Sequence, residues 1–206
     1  MIAIVDYDAG NLHSVTKAVE AVGLRCRVTA SPREIEAADG VILPGVGAFG
    51  PCSRRLQERG LTAVLRDYVR ADRPFLGICL GLQLLFDWGE EGAGAPGLAA
   101  LPGRVVRLEA APGRKIPHMG WNALRFRRPS PLFAEIAEGE YFYFVHSFQA
   151  VAEHPEDLVA TVGYGSDVTA AVGRGRVHAV QFHPEKSSTA GLRLLRNFGR
   201  IVAAGG

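Results

Sequence analysis

The sequence predicts an α/β domain, with an open, largely parallel sheet, helices on both faces and a partly antiparallel C-terminal half. Three observations predict it. Short apolar runs alternate with stretches of helical spacing from Met1 to Phe86, an order that lays parallel strands side by side under helices. One apolar run breaks at Gly77-Ile78-Cys79-Leu80-Gly81, the composition of a sharp strand-to-helix turn. Beyond Gly103 the strand-like runs shorten and crowd together, as in a meander. With 206 residues, 48% of them hydrophobic, the chain can bury one full core, so residues 1–206 are read as a single domain.

Ile2 to Tyr7 reads as a buried strand. Asn11 to Val22 follows as a helix with Leu12, Val15, Val19 and Val22 on one face and Gly23 as its stop. Arg25 to Thr29 is a short strand, and Ser31-Pro32-Arg33-Glu34 carries the residues of a capping box with proline at the first helical position. Gly40 to Leu43 is the next strand, ending in Pro44-Gly45-Val46-Gly47. A helical stretch from about Pro51 to Ala71, interrupted at Gly60, leads to the strand at Phe75, and helix spacing resumes in Leu82, Leu85 and Phe86. Gly89 to Gly103, rich in Gly, Ala and Pro, reads as a mobile loop. Strand-like runs follow at Arg104 to Leu108, Trp121 to Phe126, Tyr141 to Val145, Leu158 to Val162, Val168 to Val172 and Val177 to Phe182. Ser187 to Ala203 closes the chain as a helix with Leu192, Leu195, Phe198 and Val202 inward.

The turn at Cys79 carries the chemistry. Glycines flank it because a strained strand-to-helix turn leaves no room for a neighbouring Cβ, and a thiol at a helix N-terminus is favoured as thiolate. Alone, such a cysteine is as readily a small buried hydrophobe. Gln181-Phe182-His183-Pro184-Glu185 changes the balance: His183 can take the thiol proton, and Glu185 can hold the imidazole in the right tautomer. Pro184 restrains the relative directions of the two side chains. Cys26 and Cys52 have no such base and read as packing residues.

Bulk properties exclude several classes. A formal net charge of +2 gives no electrostatic argument for nucleic acid or membrane. Three cysteines without a C-x-x-C point to a reducing compartment, hence the cytoplasm, and against a structural metal; no cofactor is called for. Met1 to Asp6 is too short and too soon charged for a signal peptide, and no apolar run reaches membrane-spanning length.

The elbow cysteine with the H-P-E resembles the triad-type class I glutamine amidotransferases, built on a flavodoxin-like sheet. The resemblance narrows through Asp6-Tyr7-Asp8-Ala9-Gly10-Asn11-Leu12, Pro44 to Phe49, Lys115-Ile116-Pro117-His118-Met119-Gly120-Trp121-Asn122 and Tyr143 to Phe148, which together resemble the glutaminase subunits of imidazole glycerol phosphate synthases. The triad specifies the superfamily, and the K-I-P-H-M-G-W-N run points to this subunit. Asp8 departs from the glycine usual there.

The resemblance implies that Cys79 attacks the glutamine side-chain amide to give a γ-glutamyl thioester and ammonia, with His183 as proton shuttle. It implies an oxyanion hole from the backbone N–H groups of Val46 and Leu80, and substrate contacts from Gly47, Gln83, Glu91, Ser147 and Phe148. Gln83 could equally be an ordinary exposed helix glutamine, and Glu90 competes with Glu91. It further implies no cofactor and a heterodimer with a separate (β/α)8-barrel cyclase, met through Asn11, Met119, Trp121, Tyr143 and Lys186. Trp121 could instead be a core aromatic opening its strand. Glycines around Val46 would let its peptide rotate, so the free subunit is expected to be a poor glutaminase that docking switches on, through Val46 or through His183 by way of Lys186. A glutaminase serving another synthase (anthranilate, aminodeoxychorismate or pyridoxal phosphate) and a non-catalytic flavodoxin-like binding module are the competing readings.

Overall fold

Four buried apolar residues, Ile2–Val5, form β1, and a strand apolar on both faces belongs inside a parallel sheet. The computed structural model describes residues 1–110 and 114–205. In it β1 leads to α1 (Leu12–Ala21), whose N-cap Asn11 accepts from the Ser14 N–H at 3.4 Å. After β2 (Cys26–Thr29) comes α2 (Pro32–Ala37), capped by Ser31. The predicted capping box forms by half: Ser31 accepts from Glu34 N, but the Glu34 carboxylate pairs with Arg27 and the Ser31 N–H goes to Thr29 Oγ1. β3 (Gly40–Gly45) precedes α3 (Phe49–Glu58) and α4 (Leu61–Arg70), which break at Gly60 as predicted, where φ is 67°. The helix opens at Phe49 and not Pro51, since proline is tolerated throughout a first turn.

β4 (Phe75–Cys79) runs into α5 (Leu80–Gln83), a single turn and not the longer helix that the spacing of Leu82, Leu85 and Phe86 suggests. All three of those residues are fully buried, and where every side is buried a 3.6-residue spacing carries no information. Phe86 already belongs to β5 (Phe86–Gly89), followed by β6 (Ala95–Pro96) and β7 (Leu101–Arg107). The stretch read as a mobile loop is thus part of a small sheet, with Ala95, Leu98 and Leu101 buried. All of its glycines but Gly92 serve close approach: a Cβ on Gly89 would strike the Phe49 ring at 2.5 Å, and one on Gly97 would overlap the Phe86 carbonyl. The remaining elements are β8 (His118–Phe126), β9 (Tyr141–His146), β10 (Phe148–Ala152), β11 (Leu158–Gly163), β12 (Asp167–Arg174), β13 (Val177–Val180) and α6 (Ser188–Ala203). β10 has no counterpart among the predicted strands, and β8 starts earlier than Trp121.

The main sheet has the order β2-β1-β3-β4-β13-β12-β11-β8-β9. Pairs from β2 to β13 are parallel and pairs from β13 to β9 antiparallel. The small sheet, β10-β7-β5-β6, lies apart. Alternation along β1 separates two cores: Ile2 and Ile4 join the cluster holding α1 and α6, whereas Ala3 and Val5 join that holding α2 to α5 and the small sheet.

Candidate active site

Cys79 ends β4 at φ 56° and ψ −108°, a conformation costing a non-glycine residue about 1–3 kcal/mol. Its flanking glycines are explained atom by atom. A Cβ on Gly77 would lie 2.7 Å from the Gly81 carbonyl oxygen, and one on Gly81 would overlap the Leu43 carbonyl oxygen of β3. The turn therefore closes only with both side chains absent. Because α5 is a single turn, its dipole is small, and deprotonating the thiol falls to side chains.

β13 pairs in parallel with β4, so the chain leaving its C-terminal end passes beside Cys79. His183 is buried there, and its Nδ1 lies 2.8 Å from Glu185 Oε1. A carboxylate only accepts, so Nδ1 carries hydrogen and Nε2 is left for chemistry. Nε2 is buried with no hydrogen-bond partner among the described residues. Burial pulls the His183 pKa down, but the nearness of Cys79 and the hydrogen bond and charge of Glu185 outweigh it and lift the value to about 9. The H-P-E turn is tied to β9: the His183 N–H donates to the Tyr143 carbonyl at 3.0 Å, while Ser187 Oγ donates to the His183 carbonyl and accepts from the Tyr143 N–H.

A cavity of about 320 Å³ collects the predicted residues: Cys79, His183, Val46, Gly47, Leu80, Gln83, Glu91, Ser147 and Phe148 all line it. Glu185 stands behind His183. Glu90 turns away to accept from the Arg107 N–H, whereas Glu91 reaches into the cavity wall and accepts from the Phe49 N–H at 2.7 Å. That carboxylate supplies the cap that Ala48 cannot give α3. Gly47 has φ 97° and open space where a Cβ would point. Around Val46 the loop is held on both flanks, by Tyr7 Oη to the Pro44 carbonyl at 2.8 Å and Cys52 Sγ to the Val46 carbonyl at 3.5 Å. Asp8 takes φ 60°, a conformation glycine reaches freely and Asp tolerates.

Gln83 is buried rather than an exposed helix residue: its Nε2 donates to the Phe148 carbonyl at 3.1 Å and to Gln181 Oε1 at 3.0 Å. Four residues that the sequence does not single out join the site. Gln181 Nε2 approaches Cys79 Sγ at 3.7 Å. His146 Nδ1 meets the Phe148 carbonyl at 2.8 Å, and His118 Nδ1 meets His146 Nε2 at 3.0 Å. Asn122 Nδ2 closes on His118 Nε2 at 3.4 Å. Burial holds both histidines near pKa 4, hence neutral. All of these lie inside the quoted motifs, but only their three-dimensional pairing gives them partners.

On the outer face of β8 and β9, Met119 and Trp121 are 62% and 51% exposed. Trp121 is therefore no core aromatic. It crosses Tyr143 edge-on at 6.1 Å, and the Lys186 ammonium stands 6.0 Å from the Tyr143 ring. Val145, paired with Met119, lines the cavity, so this apolar face runs to the cavity mouth. Asn11 is half-buried with its side-chain oxygen engaged as a cap. Among the described residues no Cys, His, Asp and Glu group could hold a metal ion, and no helix is long and apolar enough to cross a membrane.

Residues 3–202 match the family of class-I glutamine amidotransferases. The chain is 55% identical to the imidazole glycerol phosphate synthase subunit HisH of Synechococcus elongatus, over 98% of this chain and 94% of that one. It is 52% identical to the HisH subunit of Moorella thermoacetica, over 100% and 97%. Among solved structures, a glutamine amidotransferase crystal structure superposes with a TM-score of 0.77 at 21% identity, covering 98% of this chain and 100% of that one, a likeness of fold.

Proposed function

The chain belongs to the class-I glutamine amidotransferases, and from that premise we propose that it is the glutaminase subunit of an imidazole glycerol phosphate synthase in histidine biosynthesis. Extensive identity to HisH subunits supports this reading, and so do the free cysteines, which fit a cytoplasmic setting. The observation that carries the chemistry is Cys79 on its strained turn, sharing one cavity with His183, itself backed by Glu185 at 2.8 Å.

The mechanism follows from that arrangement. Cys79 sulfur attacks the side-chain amide carbon of glutamine while His183 holds the thiol proton. Charge gathers on the amide oxygen, and we assign the N–H groups of Val46 and Leu80 to receive it. As the C–N bond breaks, His183 passes its proton to the departing ammonia. Water then gives a proton to His183 and attacks the thioester, the C–S pair returns to sulfur, and glutamate leaves. Glu185 keeps Nδ1 protonated throughout, so Nε2 is the working nitrogen. Gly47, Gln83, Glu91, Ser147 and Phe148 surround the amino-acid end of the substrate. Because the Ser147 and Phe148 carbonyls already accept from Leu108 N and from Gln83 and His146, their N–H groups and the Gln83 oxygen are what they offer.

Ammonia released into water is protonated and lost, so the product calls for a docked acceptor enzyme. We assign that role to a separate (β/α)8-barrel cyclase seated on Met119, Trp121, Tyr143 and Lys186 with Asn11 at the rim. Docking would switch on a slow free subunit by turning the Val46 peptide, whose neighbours Gly45 and Gly47 permit it. In the reconstituted complex, Cys79→Ala should abolish synthesis from glutamine while synthesis from ammonium salts survives. Loss of both together would make Cys79 structural and sink the reading.

A further inference from the structure

Gln181 leaves the end of β13 wholly buried, with its amide between the nucleophile and Gln83. Its orientation is decided from outside. The Phe148 carbonyl can only accept, so Gln83 must turn Nε2 toward it; the same nitrogen meets Gln181, which must answer with its oxygen. The Gln181 nitrogen is thereby left facing Cys79 Sγ at 3.7 Å. Resting on the glutaminase reading of Cys79, we propose that Gln181 is a further catalytic residue: an N–H donor aimed at the nucleophile's sulfur whenever that sulfur carries charge.

The reaction loads the sulfur with charge twice. The first time is before attack, as the thiol proton passes to His183. The second is in thioester hydrolysis, when the C–S bond breaks and its electron pair returns to sulfur. A thioester sulfur is a poor acceptor and a thiolate a strong one, so the Gln181 bond is strong at the two moments that need it and weak in between. A one-turn α5 supplies little dipole for that charge. An uncharged amide cannot titrate or take the proton, so it does not compete with His183. Gln83 is the positioning residue of the pair, since without its nitrogen the Gln181 amide would be free to turn over.

The test uses the full chain with Gln181→Met, which keeps length and loses the donor, and Gln181→Glu, which faces the sulfur with an acceptor. The first readout is the alkylation rate of Cys79 by iodoacetamide at neutral pH, followed by mass spectrometry. The second, in the complex with the cyclase, is kcat against KM for glutamine and accumulation of the thioester. Loss of a charge-assisted hydrogen bond should slow alkylation and kcat about tenfold or more with KM near wild type, and Gln181→Glu should be slower than Gln181→Met. A merely structural role would lower the amount of reactive protein and leave the rate of the surviving fraction unchanged. Rates equal to wild type in both variants would overturn the proposal while leaving the glutaminase reading intact. An unaltered Cys79 inert to both iodoacetamide and a glutamine-mimicking electrophile would overturn both. Should the variants fail to fold, NMR on the unaltered chain decides: the Gln181 side-chain NH2 signals must shift when Cys79 is alkylated, and their failure to move overturns the proposal.

Discussion

The two halves of the main sheet divide the work. From β2 to β13 the strands are parallel, and the proposed nucleophile Cys79 and its proposed base His183 rise from the C-terminal ends of two neighbours, β4 and β13, where open α/β sheets place their sites. From β12 to β9 the strands are antiparallel and contribute no member of the proposed triad. They supply instead the wall of the cavity, the Tyr143 anchor of the H-P-E turn and the exposed Met119 and Trp121 face. On the proposed reading, reactivity comes from strand ends fixed by crossovers, and docking of a partner from a strand pair whose outer face carries exposed Met119 and Trp121.

That division can be broken at the chemistry first. His183→Ala should cost glutamine hydrolysis on the order of 10⁴-fold or more, as losing the nucleophile would. Glu185→Gln should retain more, because an amide can still hydrogen-bond the imidazole. Steady-state glutaminase rates decide, and a Glu185→Gln enzyme as fast as wild type would remove Glu185 from the mechanism.

A second test compares glycines across the divide. Gly81→Ala must push Cβ into the Leu43 carbonyl of the parallel half, whereas Gly120→Ala in β8 has φ 122° to bear but no atom within 4 Å. Overpacking at Gly81 should cost about 3 kcal/mol or more, and Gly120→Ala about 1–3 kcal/mol of backbone strain. Urea midpoints with equal slopes would measure both, and equal costs would contradict the crowding argument.

On the partner face, Trp121→Ala should weaken cyclase binding by about 2 kcal/mol, roughly 30-fold in Kd, with the free subunit's Tm little changed. Isothermal titration reads the first and calorimetry the second. An unchanged Kd would move the interface elsewhere.

The most gradual effect is in pH. Burial depresses His118, His146 and His178 to about 4. The unfolded chain then binds more protons below the ordinary histidine value of about 6.5, so stability falls as pH drops from there toward 4. His183 works the other way, its pKa raised to about 9: its contribution is complete below about 6.5 and fades as pH rises through 9. Chemical denaturation across pH should peak between these two flanks. A flat acid limb would show that the three histidines are less isolated from water.

The same division governs what could be read from the chain itself. Ser31, Gly60 and Gly77 act within a few residues of their own position, so caps, the helix break and the elbow were legible, and Cys79, His183 and Glu185 with them. The Gly89 to Gly103 stretch was misread because glycine for close packing and glycine for freedom look alike in sequence. β10 was missed because it buries only Ala150 among its five residues and so shows little apolar pattern. Gln181, His118 and His146 stood in view within motifs, but a hydrogen-bond partner on another strand has no sequence spacing to announce it.

The direction of those hydrogen bonds has an electrical meaning. Proton hopping needs every member of a chain to donate one way and accept the other. From Asn122 through His118 and His146 the donors point inward, and from Gln83 the donor points back, so both arms end on the same carbonyl of Phe148. A carbonyl accepts from two sides and passes nothing on. The continuous run of polar contacts from β8 to Cys79 is therefore an insulating joint rather than a wire, and among the described residues the imidazole of His183 is the group proposed to carry the thiol proton away.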